Sequence, residues 1–424
     1  MQRQQIPGVS LAIVKNGRPL LVKGYGFANL EHKVPVKPET VFQSGSVGKQ
    51  FTATAILMLV EDGKIGLEDN IGKYLGDVPD AWKSITIRHL LTHTGGMTDY
   101  PDDFDFRRDS TEDELLKKAK EIPLAFAPGE KWQYSNLGFV TLGIIISKVT
   151  GKFYGDFLQV RIFKPLGMTT ARIISEADIV PNRAAGYRLE KGEVKNQNWV
   201  APSMNTTADG SLYLTALDMI KWDEGLRHGK LLKKTLLDEM WTQATLNNGE
   251  RRPYGFGWAV RSVNGHRVVE HGGAWQGFKA HIARFLDDGL TVIVFANLAQ
   301  TDQQKIVKGV ATIVNPDLKP RPISDSLPAF STRIKHLLIA LIEKKVGSSR
   351  LLPEERKALE QTDERFLAFV RTLGPISAFN LMERSEIGNG VRSRYQIEFS
   401  TMTIFLDVSA GRDGTITAFA LQPE

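Results

Sequence analysis

Ser46 and Lys49 stand three residues apart at the head of an apolar run, a spacing that puts a hydroxyl nucleophile and an amine on one helix face. Tyr134-Ser135-Asn136 adds a second proton carrier in Tyr134 and, in Asn136, an amide able to orient Lys49 and hold a substrate carbonyl. His271-Gly272-Gly273 adds a hydrogen-bonding side chain beside backbone that a substrate can approach closely. The chemistry these parts suit is acyl transfer: Ser46 attacks a carbonyl, an acyl-enzyme forms, and water hydrolyses it. Lys49 and Tyr134 then share protons as a coupled pair, so neither alone is named the base.

A bare S-x-x-K arises by chance about once or twice in a chain of this length, so the surrounding elements decide. Ser46 follows the loop-like Gln43-Ser44-Gly45 and opens the run Phe51 to Val60, which ends at Gly63 and reads as a buried helix. Tyr134 follows Pro128-Gly129-Glu130 and precedes Leu137 to Val149, a second apolar helix stopped near Gly151. His271 closes a strand-like run, Arg267 to Glu270, ahead of a Gly-rich turn. Val9 to Val14 and Leu20 to Lys23 read as strands about an Asn16-Gly17 turn. Strand signals return at Tyr254 to Val263, Arg267 to Glu270, Phe278 to Phe285 and Thr291 to Asn297, followed by a helix over Thr301 to Val314. Strands at both ends of this region predict one antiparallel sheet, with the mostly helical middle covering a face.

These motifs and their contexts resemble the penicillin-recognising serine hydrolases related to class C β-lactamases. That group includes D-Ala-D-Ala carboxypeptidases, D-aminopeptidases and family VIII esterases. Ile6-Pro7-Gly8-Val9-Ser10, Ile87 to Gly96, Pro165-Leu166-Gly167-Met168 and Tyr254-Gly255-Phe256-Gly257-Trp258 are similar to further family segments. The resemblance implies an α+β, β-lactamase/transpeptidase-like fold, with an antiparallel sheet flanked by helices and a mostly helical middle region. It implies Ser46, Lys49 and Tyr134 as catalytic residues. Asn136, His271, Gly273 and Ala274 are implied as substrate-binding residues, the oxyanion lying between the backbone N–H groups of Ser46 and Ala274. Many relatives carry lysine where His271 stands; histidine is only partly charged near neutrality, so a substrate carboxylate is served less well. Hydrolysis of small esters or amides, esterase-like or D-amino-acid-peptidase-like, is therefore expected, with at most weak β-lactamase activity. The alternative is a penicillin-binding sensor of the same fold with little turnover. Trp275, Gln276 and Phe278 are candidates for an apolar acyl pocket. The family implies a periplasmic or secreted protein, and no signal peptide is visible; the sequence starts almost on its first strand, where the resemblance implies a preceding helix.

With 424 residues and 42% hydrophobic content, the chain is long enough for more than one domain. We read residues 1–315 as the hydrolase domain, 316–328 as a proline-rich linker, and 329–424 as a small C-terminal α+β domain. In the last, Ser331 to Lys345 and Pro353 to Thr372 read as helices. Ala378 to Arg384, Ser393 to Phe399, Met402 to Val408 and Ile416 to Leu421 read as strands. This domain carries no chemical motif and is a candidate surface for a homo-oligomer. The net charge of +6 is scattered among acids, which argues against a nucleic-acid partner. No run nears the roughly 18 apolar residues of a membrane span. The absence of cysteine excludes disulfides and thiol chemistry. His89 and His93 have a metal-ligand spacing, but no third ligand or H-E-x-x-H glutamate accompanies them, and no metal or cofactor is implied. Gly24-Tyr25-Gly26 lacks the third glycine of a dinucleotide loop, Gly48-Lys49-Gln50 lacks the pattern of a phosphate loop, and there is no G-x-S-x-G.

Overall fold

A computed structural model describes the chain except residues 102, 174–176, 211, 345–351, 361–363, 388, 389 and 424. It divides into two compact units, Met1–Leu318 and Lys319–Glu424.

In the first unit the N-terminal hairpin Gly8–Lys15/Arg18–Asn29 completes a sheet whose other main strands come from the far end of the unit. The seven-stranded order is Ala259–Val263, His266–Trp275, Phe278–Phe285, Leu290–Ala296, Gly8–Lys15, Arg18–Asn29 and Val34–Pro35, antiparallel throughout. Val9 lies opposite Ala296, which closes a separation of almost the whole unit. Asn16 and Gly17 both have positive φ, the backbone that a tight right-twisting hairpin needs. Every residue of Leu290–Ala296 is buried, because helices cover both faces of the sheet. The helical middle packs on one face through Phe51, Phe139 and Trp222, joined by Trp258 from the segment before Ala259–Val263, in one cluster with Ile282 and Ile293. The helix Gln303–Val314 packs on the other, Val307 and Ala311 lying in the cluster of Leu11, Val292 and Val294.

Two helices of the middle carry the candidate residues. Lys49–Glu61 is preceded by a 3₁₀ turn over Gly45–Gly48 and is buried nearly all round, so it shows no amphipathic stripe. Asn136–Thr150 begins where Ser135 Oγ accepts the Gly138 N–H at 3.0 Å, and stops at Gly151 in the left-handed region.

The sequence reading differs from this fold in three places. His271 does not end a strand: Gly272 and Gly273 continue the strand His266–Trp275. Only Ala259–Val263 of the run from Tyr254 is a strand, because the chain turns at Gly257 to reach the serine helix. A Cβ there would sit 2.8 Å from the Lys49 carbonyl oxygen. The Pro353–Thr372 run contains the helices Pro353–Glu360 and Glu364–Val370 and a 3₁₀ turn at Arg371–Leu373. Positions 361–363 and 345, which that reading put in helices, lie outside the described residues.

The second unit is a four-stranded antiparallel meander, Ala378–Ile387, Gly390–Glu398, Thr403–Gly411 and Ile416–Pro423. The helix Pro328–Ile342 packs Ile334 and Leu338 onto Tyr395, Leu406 and Phe419. Ile323, in the proline-punctuated stretch, donates its N–H to Leu381 O at 2.8 Å. No single described helix is long and apolar enough to cross a membrane.

One buried ion pair ties the helix Ala216–Arg227 to the sheet. Arg284, 4% exposed, donates from Nε to Asp223 Oδ1 at 2.7 Å, and Thr291 Oγ1 donates to the same oxygen at 2.7 Å. Removing the carboxylate would leave an uncompensated buried guanidinium. Asp223→Ala is expected to destabilise the first unit by about 3–5 kcal/mol in urea unfolding; a loss below about 1 kcal/mol would contradict this role.

Candidate active site

Between Val41 and Gln50 every residue is buried except Ser46, which is half-buried. The 3₁₀ turn presents this one hydroxyl outward while Lys49, one turn on, points into the protein and is fully buried. Lys49 Nζ lies 3.1 Å from Ser46 Oγ, 2.7 Å from Asn136 Oδ1 and 2.5 Å from Asp209 O. Three acceptors around one nitrogen match the three hydrogens of an ammonium.

Asn136 is fixed from both ends. Its Nδ2 donates to Asp99 Oδ2 at 2.7 Å, and an ionised carboxylate only accepts, so the amide nitrogen faces Asp99 and the oxygen faces Lys49. Burial pushes the Asp99 carboxyl up from its ordinary value, while the hydrogen bonds from Tyr100 N–H and Asn136 partly offset that. Tyr134 meets Lys49 with its ring, whose centroid is 4.9 Å from Nζ. Its hydroxyl is buried and has no hydrogen-bond partner. The ring sits among His93 at 4.3 Å, His271 at 6.2 Å and Tyr254 at 6.4 Å.

The strand His266–Trp275 forms the opposite wall. A Cβ on Gly273 would lie 1.9 Å from Ser44 O and 3.0 Å from Ser46 N, so close approach to the serine turn, rather than a bend, requires glycine there. The Ala274 nitrogen would be 2.4 Å from a Cβ on Gly45. Backbone nitrogens of Ser46 and Ala274 thus border one seam, and Ala274 is exposed beside it. His271 is 7% exposed and neutral: burial, then the nearby Lys49 charge, pushes it down to about 3. Its Nδ1–H donates to Gly272 O at 2.6 Å, which leaves Nε2 to accept from Tyr254 Oη at 2.9 Å. The expectation of a partly charged histidine is corrected by this burial.

All seven residues proposed from sequence therefore converge. Asp99, Asp209, Tyr254 and His93 were not singled out as site residues. Asp99 and Asp209 lie in loops without periodicity, and Asp209 contributes through its backbone. Tyr254 belongs to a quoted segment whose reach to His271 is tertiary. His93 lies in a quoted segment too, but its Nδ1 accepts the Ser135 N–H at 3.2 Å, whereas His89 Nδ1 accepts from Thr86 N at its own helix cap. The two histidines serve different partners, and no cluster of metal-ligating side chains exists among the described residues. Chemically, the arrangement offers a hydroxyl touching an amine, an unpartnered phenol and two backbone donors, a set suited to forming and breaking an acyl ester.

The Beta-lactamase family model matches residues 1–312. Penicillin-binding protein 4* of Bacillus subtilis (strain 168) is 29% identical over 398 residues, 88% of this chain and 86% of that protein. The D-aminopeptidase of Gluconobacter oxydans (strain 621H) is 27% identical over 357 residues, 81% of this chain and 66% of its own. The D-amino acid amidase of Ochrobactrum anthropi SV3 superposes with a TM-score of 0.64 at 26% identity, over 75% of this chain and 94% of that one. The octameric penicillin-binding protein homologue from Pyrococcus abyssi shares the fold, with a TM-score of 0.67 at 24% identity over 96% and 87% of the two chains.

Neutral burial of His271 has a thermodynamic consequence. Between about pH 3 and the ordinary histidine value of 6.5 the unfolded chain binds the extra proton, so stability falls as pH drops through that window. His93, held well below 6.5 by burial, acts in the same direction. Unfolding free energy is expected to fall between pH 7 and pH 5, with His271 alone contributing about 2 kcal/mol. His271→Gln should reduce that slope in denaturant titrations at the two pH values; an unchanged slope would contradict a buried neutral His271.

Proposed function

The chain belongs to the Beta-lactamase family of serine hydrolases, and from that premise we propose that it hydrolyses small esters or amides through an acyl-enzyme on Ser46. The observation that carries the proposal is the run of contacts from Ser46 Oγ to Lys49 Nζ to Asn136 Oδ1, at 3.1 and 2.7 Å. In the reacting state the Lys49–Tyr134 pair holds one proton fewer than an ammonium plus a phenol, and Ser46 Oγ gives its proton to that vacancy as it bonds to the substrate carbonyl carbon. The carbonyl oxygen becomes an oxyanion between the Ser46 and Ala274 N–H groups, donors each worth roughly 3 kcal/mol in a transition state. As the tetrahedral intermediate collapses, the carbon–leaving-group bond breaks and the departing atom takes a proton from the pair. The free Tyr134 hydroxyl is the group with capacity to deliver it. Water then attacks the ester, gives its proton to the same pair, and Ser46 is released with its hydroxyl restored.

Neutral His271 directs the choice of substrate. A penicillin or a D-alanine terminus carries a carboxylate, and this position supplies no cation to meet it. We therefore assign the chain to simple esters and amides, including aminoacyl amides of the kind named for the D-amino acid amidase relative, ahead of β-lactams.

Steady hydrolysis of p-nitrophenyl acetate or butyrate is expected, abolished in Ser46→Ala and reduced in kcat by at least about a hundredfold in Tyr134→Phe. Near-normal turnover by Tyr134→Phe would remove that residue from the mechanism. A stoichiometric burst without further product would replace the hydrolase reading with that of an acylated sensor.

A further inference from the structure

Two separate groups of rings are tied to the residues around Ser46. One gathers Trp132, His93, Tyr254 and His271 around Tyr134, the phenol assigned to the departing group. The other is a chain of four: Tyr100 to Phe104 at 4.4 Å, Phe104 to Phe106 at 4.9 Å, and Phe106 to Trp275 at 6.1 Å. Among the described residues no ring contact joins the two groups.

Both ends of the second chain are tied to the reacting residues. At one end Asp99, next to Tyr100, accepts the Asn136 amide, and Ser135 Oγ donates to Thr98 O at 3.1 Å. The Tyr-Ser-Asn motif thus pins the start of the aromatic loop. At the other end Trp275 directly follows Ala274, and its Nε1 donates to Asn205 Oδ1 at 2.6 Å, which holds the indole in place. The arc is thus tied to Asn136 at one end and to the Ala274 backbone at the other, and none of its described ring contacts reaches Tyr134. All four rings are half-buried, so each keeps apolar surface uncovered. The charge beside them is negative: Asp99 lies at the foot of the arc, and the carboxylate of Asp209, whose buried Oδ1 has no partner, is near enough for its charge to act on both Asp99 and Tyr100. Lys49, the nearby cation, has its hydrogens taken by three acceptors.

We propose that Tyr100, Phe104, Phe106 and Trp275 form the acyl-side subsite, and that it takes a flat aromatic acyl group bearing no negative charge. The leaving group departs on the Tyr134 side, so the retained acyl group lies against the opposite arc. A substrate ring stacking there buries apolar area and gains edge or face contacts with the existing rings. The carboxylates at the foot repel an anionic acyl group. This inference rests on Ser46 being the nucleophile.

The test compares kcat/KM for p-nitrophenyl phenylacetate with that for p-nitrophenyl acetate on the same enzyme preparation. The ratio is independent of how much of a variant is folded. Phe106→Ala and Trp275→Ala are each expected to lower the phenylacetate-to-acetate ratio at least about tenfold, the scale of losing a ring contact and its buried area. Should Phe106→Ala fail to accumulate, Phe106→Leu reads the same ratio, with a smaller drop expected. An unchanged ratio in these variants overturns the subsite. The wild type should also prefer p-nitrophenyl phenylacetate to its 4-carboxy derivative by about tenfold or more; equal turnover overturns the charge half of the proposal. Hydrolysis of both esters persisting in Ser46→Ala would instead defeat the underlying reading of Ser46, which keeps the two failures distinct.

Discussion

The structure depends on one buried amine. Lys49 Nζ is fully removed from solvent and is met by three acceptors from three stretches of chain: Ser46 on its own turn, Asn136 at the head of a second helix, and the backbone of Asp209. An amine in that position without partners would cost several kcal/mol, so these stretches must converge on one point. Convergence sets the demands on the backbone. Gly257 lets the chain rest on the Lys49 carbonyl, and Gly273 lets the histidine strand touch the serine turn. The two-sided sheet provides the rigid floor from which that strand extends.

Around this amine the charges are distributed unequally. His93, His271 and Tyr254 form a buried ring assembly beside Tyr134, and burial favours the neutral form of each. Tyr254 completes the arrangement by donating to the one ring nitrogen of His271 that can accept. Two carboxylates stand on the Asn136 side: Asp99, which accepts from Asn136, and Asp209, whose charge acts on Asp99. The proton transfer proposed among Ser46, Lys49 and Tyr134 would therefore run beside a neutral His271 and not beside a second permanent cation.

Much of this was legible in the sequence because it is local. The Ser46–Lys49 spacing, the stop at Gly151 and the Asn16-Gly17 turn each follow from neighbours within a few residues. Joining of the terminal strands into one sheet followed from their alternation and order. The less legible features are tertiary. His271-Gly272-Gly273 looks like a turn by composition, yet Gly273 answers to the Ser44 carbonyl, far away in the chain. The charge state of His271 depends on burial that no sequence window reports. Asp99 carries no periodic or motif signal, and only its contact with Asn136 gives it a role.

The central claim is that the acyl group passes through Ser46. The most direct measurement is rapid quenching of the p-nitrophenyl acetate reaction during turnover, followed by proteolysis and mass spectrometry of the peptides. The account predicts an added acetyl group on the peptide containing Ser46 that decays as substrate is exhausted and never forms in Ser46→Ala. Acetyl on another residue during turnover, or undiminished turnover by Ser46→Ala, would contradict it.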